Sequence, residues 1–209
     1  MLHSCLAIDI FTDYLYSMKK IAAFDFDGTI TQKDTLIEFL QFTHSWKFYL
    51  YLLFLSPLLI AFKLGLIKNG KAKQLLFSFF YKGWRVEKFN KLCIDFTKSI
   101  DVRRKALDTI NKHLKNGDEI VVISASLENW VQPWSENHKI NWVLASKIEV
   151  IDGKITGRFS GKNCYGMEKV NRLKELFPNR SDYYLIAYGD SKGDKELLEY
   201  ADERYLRIF

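Results

Sequence analysis

Apolar and polar positions along this chain fall into short blocks whose spacing changes character several times. Residues 21–24 form an apolar run that ends abruptly in Asp25-Phe26-Asp27-Gly28-Thr29, which predicts a buried strand over about 20–25 closing in a polar turn. From 31 to roughly 43 the apolar residues recur at helical spacing. The stretch 48–62 is uncharged and strongly apolar, broken by Ser56 and Pro57. Amphipathic helices are predicted near 70–82 and 85–99, with Gly83 between them. A helix over 102–115 ends at Asn116-Gly117, a good C-terminal cap. The β-branched run 119–123 predicts a buried strand, followed by a helix over 127–137 and a strand over 142–145. Residues 147–151 and 154–157 flank Asp152-Gly153, a hairpin signal. A helix over 166–176, a strand over 184–188, a helix over 193–200 and a strand over 205–208 complete the series.

Strands alternating with helices predict an α/β fold. The sheet should be mainly parallel, with helices on both faces, right-handed crossovers and a site at the carboxyl edge of the strands. The helical stretch 35–100 interrupts that pattern. We therefore expect a core built from 18–34 and 101–209, with 35–100 as an all-helical insertion. Met18-Lys19-Lys20 has the look of a natural start, so 1–17 is expected to be an extension. That extension has no basic n-region and only short apolar runs, unlike a secretory signal.

A chain of 209 residues has room for one domain of ordinary size plus an insertion. Hydrophobic content of 48% and charged content of 27% are globular values. Cys5, Cys93 and Cys164 are odd in number and widely separated, which fits neither a disulfide framework nor zinc-ligand spacing and points to a reducing, cytoplasmic compartment. His3, His44, His113 and His138 are scattered, and each is expected to be a surface or capping residue. The net charge of +6 is unevenly placed. Between Thr35 and Asn90 the bases Lys47, Lys63, Lys68, Lys71, Lys73, Lys82, Arg85 and Lys88 face only Glu38 and Glu87. A basic region beside a cleft favours anionic substrates or an anionic membrane surface, although any single lysine can simply be solvated. No nucleic-acid-binding motif is present, so no nucleic-acid partner is expected.

Four polar clusters carry the chemistry. In extended backbone, Asp25 and Asp27 point to one side and are aimed together at the strand end. Two carboxylates held so close need a cation or a proton between them. A plain polar turn is the bland alternative. An EF-hand loop is excluded, because Ile30 and Leu36 stand where it needs glycine and glutamate. Ser124-Ala125-Ser126 follows the second strand, and a hydroxyl there can donate to a phosphoryl oxygen or merely cap a helix. Lys169 sits in the first turn of a predicted helix, against the helix dipole, which a nearby anionic site would compensate. The strand 184–188 ends in Gly189-Asp190-Ser191-Lys192-Gly193-Asp194, again carboxylates behind a glycine. Carboxylate and carbonyl oxygens suit a hard cation such as Mg2+. The Gly157-Arg158-Phe159-Ser160-Gly161-Lys162-Asn163 run has the wrong length for a nucleotide-binding phosphate loop, and no Gly-x-Ser-x-Gly elbow occurs.

Taken in order, these clusters resemble the haloacid dehalogenase-like superfamily, from about Ile21 to the C-terminus. The long insertion after the first cluster, and Asp152-Gly153-Lys154-Ile155-Thr156-Gly157 before Cys164 and Lys169, are similar to its phosphoserine phosphatase-like branch. The resemblance implies a Rossmann-like core with an inserted C1-type helical cap. It implies phosphatase chemistry: Asp25 as nucleophile forming an aspartyl-phosphate, Asp27 as acid and base, and Thr29 orienting Asp27. Ser124, Ala125 and Lys169 would contact the phosphoryl group. Asp25, the Asp27 carbonyl, Asp190 and Asp194 would hold or support Mg2+. Phosphoserine phosphatases carry an acidic residue shortly after the nucleophile, a place Asp34 could take as a substrate contact. They also use a cap arginine, and here Arg85 is the sole arginine of the stretch 35–100.

The run 48–62 is shorter than the roughly 18 to 20 residues that span a bilayer. Flanked by Lys47 and Lys63, it fits an interfacial hairpin or an acyl-chain groove, or else a buried helix of the cap. This apolar cap, with Asp34 and the basic stretch after it, is similar to that of bacterial phosphatidylglycerophosphatases of the same branch. The expected substrate is thus a lipid phosphate, with phosphoserine, another small phosphomonoester or a phosphotransfer reaction as alternatives, and with peripheral membrane contact through the cap.

Overall fold

The computed structural model of the chain describes residues 18–209, and the expected 1–17 extension lies outside them. Five strands run parallel and one antiparallel in a sheet of order β4-β3-β2-β1-β5-β6. They are β1 (Lys19–Phe24), β2 (Glu119–Leu127), β3 (Trp142–Ile151), β4 (Lys154–Ser160), β5 (Tyr183–Gly189) and β6 (Glu203–Leu206). The alternation along each central strand divides the core. Ile21, Ala23, Val121, Ile123, Leu185 and Ala187 face one side. Ala22, Phe24, Ile120, Val122, Ile186 and Tyr188 face the other. A strand buried on both faces needs this continuous apolar run. Helices α8 (Met167–Leu176) and α9 (Lys195–Tyr200) cover the first face through Val170, Leu173, Leu197 and Leu198. Helices α6 (Arg104–Asn116) and α7 (Glu128–Asn137) cover the second through Ile110, Trp130, Val131 and Trp134.

Between β1 and α6 the chain forms five helices: α1 (Thr35–His44), α2 (Lys47–Phe54), α3 (Ser56–Lys63), α4 (Asn69–Tyr81) and α5 (Val86–Thr97). An aromatic cluster of Phe39, Phe77, Tyr81, Phe89 and Phe96 welds α1, α4 and α5 together. Phe39 also stacks on Trp130 of α7 at 4.9 Å, which ties this helical unit to the sheet domain.

Several boundaries differ from expectation, each for a local reason. The helix predicted from 31 begins at Thr35, because the Asp34 carboxylate caps the Leu36 and Ile37 amides and fixes the start there. Thr31 instead closes a wide turn by donating its amide to Phe26 O at 2.9 Å. The run 48–62 splits into α2 and α3, with Pro57 in the first turn of α3, where a missing amide costs nothing. The two strands predicted at 142–145 and 147–151 are one strand, β3, pairing parallel with β2 and then antiparallel with β4. His113 is buried rather than superficial, bonded to Asp118 and to the Tyr188 hydroxyl.

Candidate active site

Register puts the first and last clusters side by side. Phe24 pairs with Tyr188, and the next amide, Asp25 N, donates to Tyr188 O at 2.9 Å. Asp25 and Gly189-Asp190 therefore leave the sheet together. After Asp25 the chain makes the turn Phe26–Ile30, in which Gly28 adopts φ 79°. A Cβ on Gly28 would lie 2.6 Å from Asp190 Oδ2, so only glycine lets the two loops approach this closely. Arg103, which the sequence reading did not single out, braces the turn from behind by donating Nε to the Gly28 carbonyl at 3.2 Å and to Thr31 O at 3.3 Å.

Lys169 projects from the first turn of α8 into this corner. Its ammonium donates to Asp25 Oδ1 and to Asp194 Oδ1, both at 2.5 Å, and it is only 2% exposed. Burial alone would depress this lysine, but the two carboxylates outweigh it and hold its pKa above the ordinary value. Asp25 is pushed up to about 7, chiefly by burial, with Lys169 pulling down and Asp194 and Asp27 pushing up. Burial and Asp194 likewise raise Asp190. Asp194 goes the other way: burial is outweighed by Lys169 and by the Ser191 amide and hydroxyl. Its Oδ2 accepts from Asp190 N, Ser191 N and Ser191 Oγ, so it stitches its loop together while Oδ1 faces Lys169.

Carboxylate oxygens of Asp25, Asp190 and Asp194 lie within 4.8 Å of one another. Two of the three, Asp25 and Asp190, are raised by burial and by repulsion from Asp194 and Asp27, in spite of Lys169, a condition that a bound divalent cation relieves. The donor set is all oxygen, as Mg2+ requires. The residues present therefore fit that ion, with Asp25 and Asp190 as its side-chain ligands and Asp194, engaged at both oxygens, as support.

Asp27 is held by a separate set of donors. Its Oδ1 accepts from Thr35 N at 3.0 Å and Thr35 Oγ1 at 2.6 Å, and its Oδ2 accepts from Ser126 Oγ. Trp130 Nε1 donates to Thr35 Oγ1 at 3.0 Å and fixes that hydroxyl in turn. Burial raises Asp27, Asp34 adds to the effect, and Lys73, Ser126 and Thr35 oppose it. Both side-chain oxygens of Asp27 are thus taken by amide and hydroxyl donors.

The other expected residues divide. Thr29 was expected to orient Asp27, but its hydroxyl donates to Asp25 Oδ2 at 3.4 Å, and Thr35 and Ser126 orient Asp27 instead. The turn carries Thr29 back toward the strand end, while α1 begins beside Asp27. Ser124 is fully buried and its Oγ accepts from Ser126 N at 2.9 Å. Ala125 is the residue of that segment that lines the cavity. Asp34 lines the cavity as well as capping α1. Arg85 points elsewhere, 75% exposed beside Glu87. From the helical unit, Asn69 and Lys73 reach over the site, and Lys73 Nζ lies 3.4 Å from Ala125 O. The cleft they line has a volume of about 270 Å³.

The chain has known relatives. The sequence pattern that defines haloacid dehalogenase-like hydrolases matches residues 22–199. The chain belongs to that family. This hydrolase is 33% identical over 194 residues to Protein CicA of Caulobacter vibrioides, covering 90% of this chain and 86% of that one. Its fold matches the crystal structure of a Bordetella pertussis Tohama I protein of unknown function with a TM-score of 0.78 and 19% identity, over 90% and 89% of the chains. It matches a substrate-bound phosphoserine phosphatase with a TM-score of 0.66 and 21% identity, over 90% and 85%. The hydrolase thus has the fold of the phosphoserine phosphatase-like branch, as its motifs led us to expect.

Proposed function

We propose that this hydrolase is a Mg2+-dependent phosphatase that passes the phosphoryl group through Asp25. The observation that carries the reading is the corner where buried Asp25 meets Lys169 and Asp190 while Asp27 is separately clamped. An Asp25 oxygen attacks phosphorus, the ester P–O bond breaks, and Asp27 gives its proton to the leaving oxygen. Asp27, now a carboxylate, takes a proton from water as that water attacks the aspartyl-phosphate. The bond between phosphorus and Asp25 breaks and inorganic phosphate leaves. Lys169 keeps the Asp25 carboxylate oriented and offsets the charge that accumulates on the phosphoryl oxygens. Mg2+ at Asp25, the Asp27 carbonyl and Asp190 would screen the anionic nucleophile from the anionic ester.

A lipid phosphate is the substrate class the cavity supports best. An apolar recess of about 200 Å³ adjoins the site and shares Asp34, Asn69 and Lys73 with it. Leu36, Ile37, Leu58, Leu59, Phe62 and Leu76 line the rest of the recess, which suits an alkyl chain. Arg85, remote from the cavity, supplies no partner for a phosphoserine carboxylate. Phosphate release with Mg2+ from phosphatidylglycerophosphate, lysophosphatidate, phosphoserine and sugar phosphates tests this reading. The expected order has both lipid esters well ahead; preference for phosphoserine or a sugar phosphate would overturn the substrate class and leave the chemistry standing.

A further inference from the structure

We propose that the outward face of α2 and α3 docks the protein on an anionic lipid membrane. Trp46, Tyr49, Leu50, Leu53 and Phe54 recur at i, i+3, i+4, i+7 and i+8, one stripe of a helix. They are 66, 64, 55, 73 and 73% exposed. The opposite side of α2 is already anchored by buried Phe48 and Leu55, so the outward stripe is not needed to hold the helix in place. Helix α3 has no buried residue, and Ile60, Leu64 and Leu66 are 58, 69 and 75% exposed. Phe54 stacks on Phe79 of α4 at 5.9 Å and carries the apolar surface across to that helix. A continuous exposed face of this kind is uncommon on a monomer and marks an interaction surface.

Charge selects the occupant. No acid occurs from Phe39 to Val86, while Lys47, Lys63, Lys68, Lys71 and Lys82 are all exposed. An anionic bilayer answers both features at once: lysines meet headgroup phosphates, and leucines and aromatic rings enter the acyl boundary. Trp46 and Tyr49 suit the polar side of that boundary. A two-fold contact with a second copy would instead bring the same lysines against each other with no acid to answer them. Helices α2 and α3 have eight residues each, and among the described residues no helix is long and apolar enough to cross a membrane, so the unit lies in the interface rather than spanning it. Leu59 and Phe62 of α3 also line the apolar recess beside the active site, so docking brings that recess to the lipid. The docking stands on exposure and charge, independently of the phosphatase reading.

The test is co-sedimentation of the full chain with neutral phosphatidylcholine vesicles and with vesicles containing phosphatidylglycerol. The wild type is expected to bind the anionic vesicles more strongly and to lose binding with salt. Leu53→Gln/Phe54→Gln should weaken binding by about ten-fold or more. Lys47→Gln/Lys63→Gln should abolish most of the preference for anionic lipid. Neither pair touches the site, so p-nitrophenyl phosphate turnover and circular dichroism should stay at wild-type values. Absence of wild-type binding, binding indifferent to Leu53→Gln/Phe54→Gln, or a dimer in light scattering that this variant dissociates would each overturn the proposal. Vesicle binding without any phosphate release would retain the docking and remove the phosphatase reading.

Discussion

Lys169 Nζ lies 2.5 Å from Asp25 Oδ1, although 144 positions separate the two residues. The contact joins the first turn of α8 to the end of β1 and is almost wholly buried. Removing one partner of such a pair leaves a charge without compensation. Lys169→Met in chelator is expected to lose about 3–5 kcal/mol of stability by denaturant unfolding, and its phosphate release with Mg2+ should be all but abolished. A variant of wild-type stability would mean that Asp25 and Asp194 do not depend on this ammonium.

Ser126 and Thr35 hold Asp27 from two elements, and Trp130 holds Thr35. Ser126→Ala frees one carboxylate oxygen. The expected result is a fall in kcat of about ten- to a hundred-fold with KM little changed, because a displaced proton donor misses the leaving oxygen. Steady-state kinetics that show KM moving and kcat constant would assign Ser126 to substrate binding instead.

Gly28 faces Asp190 with no room for a Cβ and stands at φ 79°. Gly28→Ala should push the two carboxylate loops apart and weaken Mg2+ more than it weakens the fold. Calorimetric titration is expected to give at least a ten-fold rise in Kd. An unchanged Kd would remove Asp190 from the metal site.

Asp25 is raised from 3.8 to about 7 by burial, so the folded chain keeps a proton that the unfolded chain releases. Between about pH 4 and pH 7 the folded state binds more protons, and in chelator this group makes stability fall as pH rises through that window. Mg2+ competes for the same carboxylate. Its gain in melting temperature should therefore be larger at about pH 7.5 than at about pH 5. Equal gains at both values would separate the metal from Asp25.

The sheet was legible in the sequence because each central strand is a short run buried on both faces, and because Asp25 and Asp190 each follow such a run. Lys169 was legible as a base placed against a helix dipole. The partners of Asp27 were not. Ser126 and Thr35 lie 99 and 8 positions from it, and hydroxyls in turns and caps are common enough to carry no signal of their own. Arg103 was missed for the same reason, since its role is to brace backbone carbonyls. The run 48–62 left exposed interface and buried cap open, because an apolar helix reads alike whether its outer face meets protein or solvent. Exposure of Leu53 and Phe54 is a tertiary fact.

The nucleophile is the claim on which the rest depends. Asp27→Asn, incubated with Mg2+ and p-nitrophenyl phosphate, whose leaving group departs without a proton, and quenched in acid, should accumulate one phosphoryl group, because breakdown of the intermediate lacks its base. Peptide mass mapping is predicted to find that group on Asp25, and Asp25→Asn to accumulate none and release no phosphate. A phosphoryl group on another residue, or undiminished turnover in Asp25→Asn, would contradict the account.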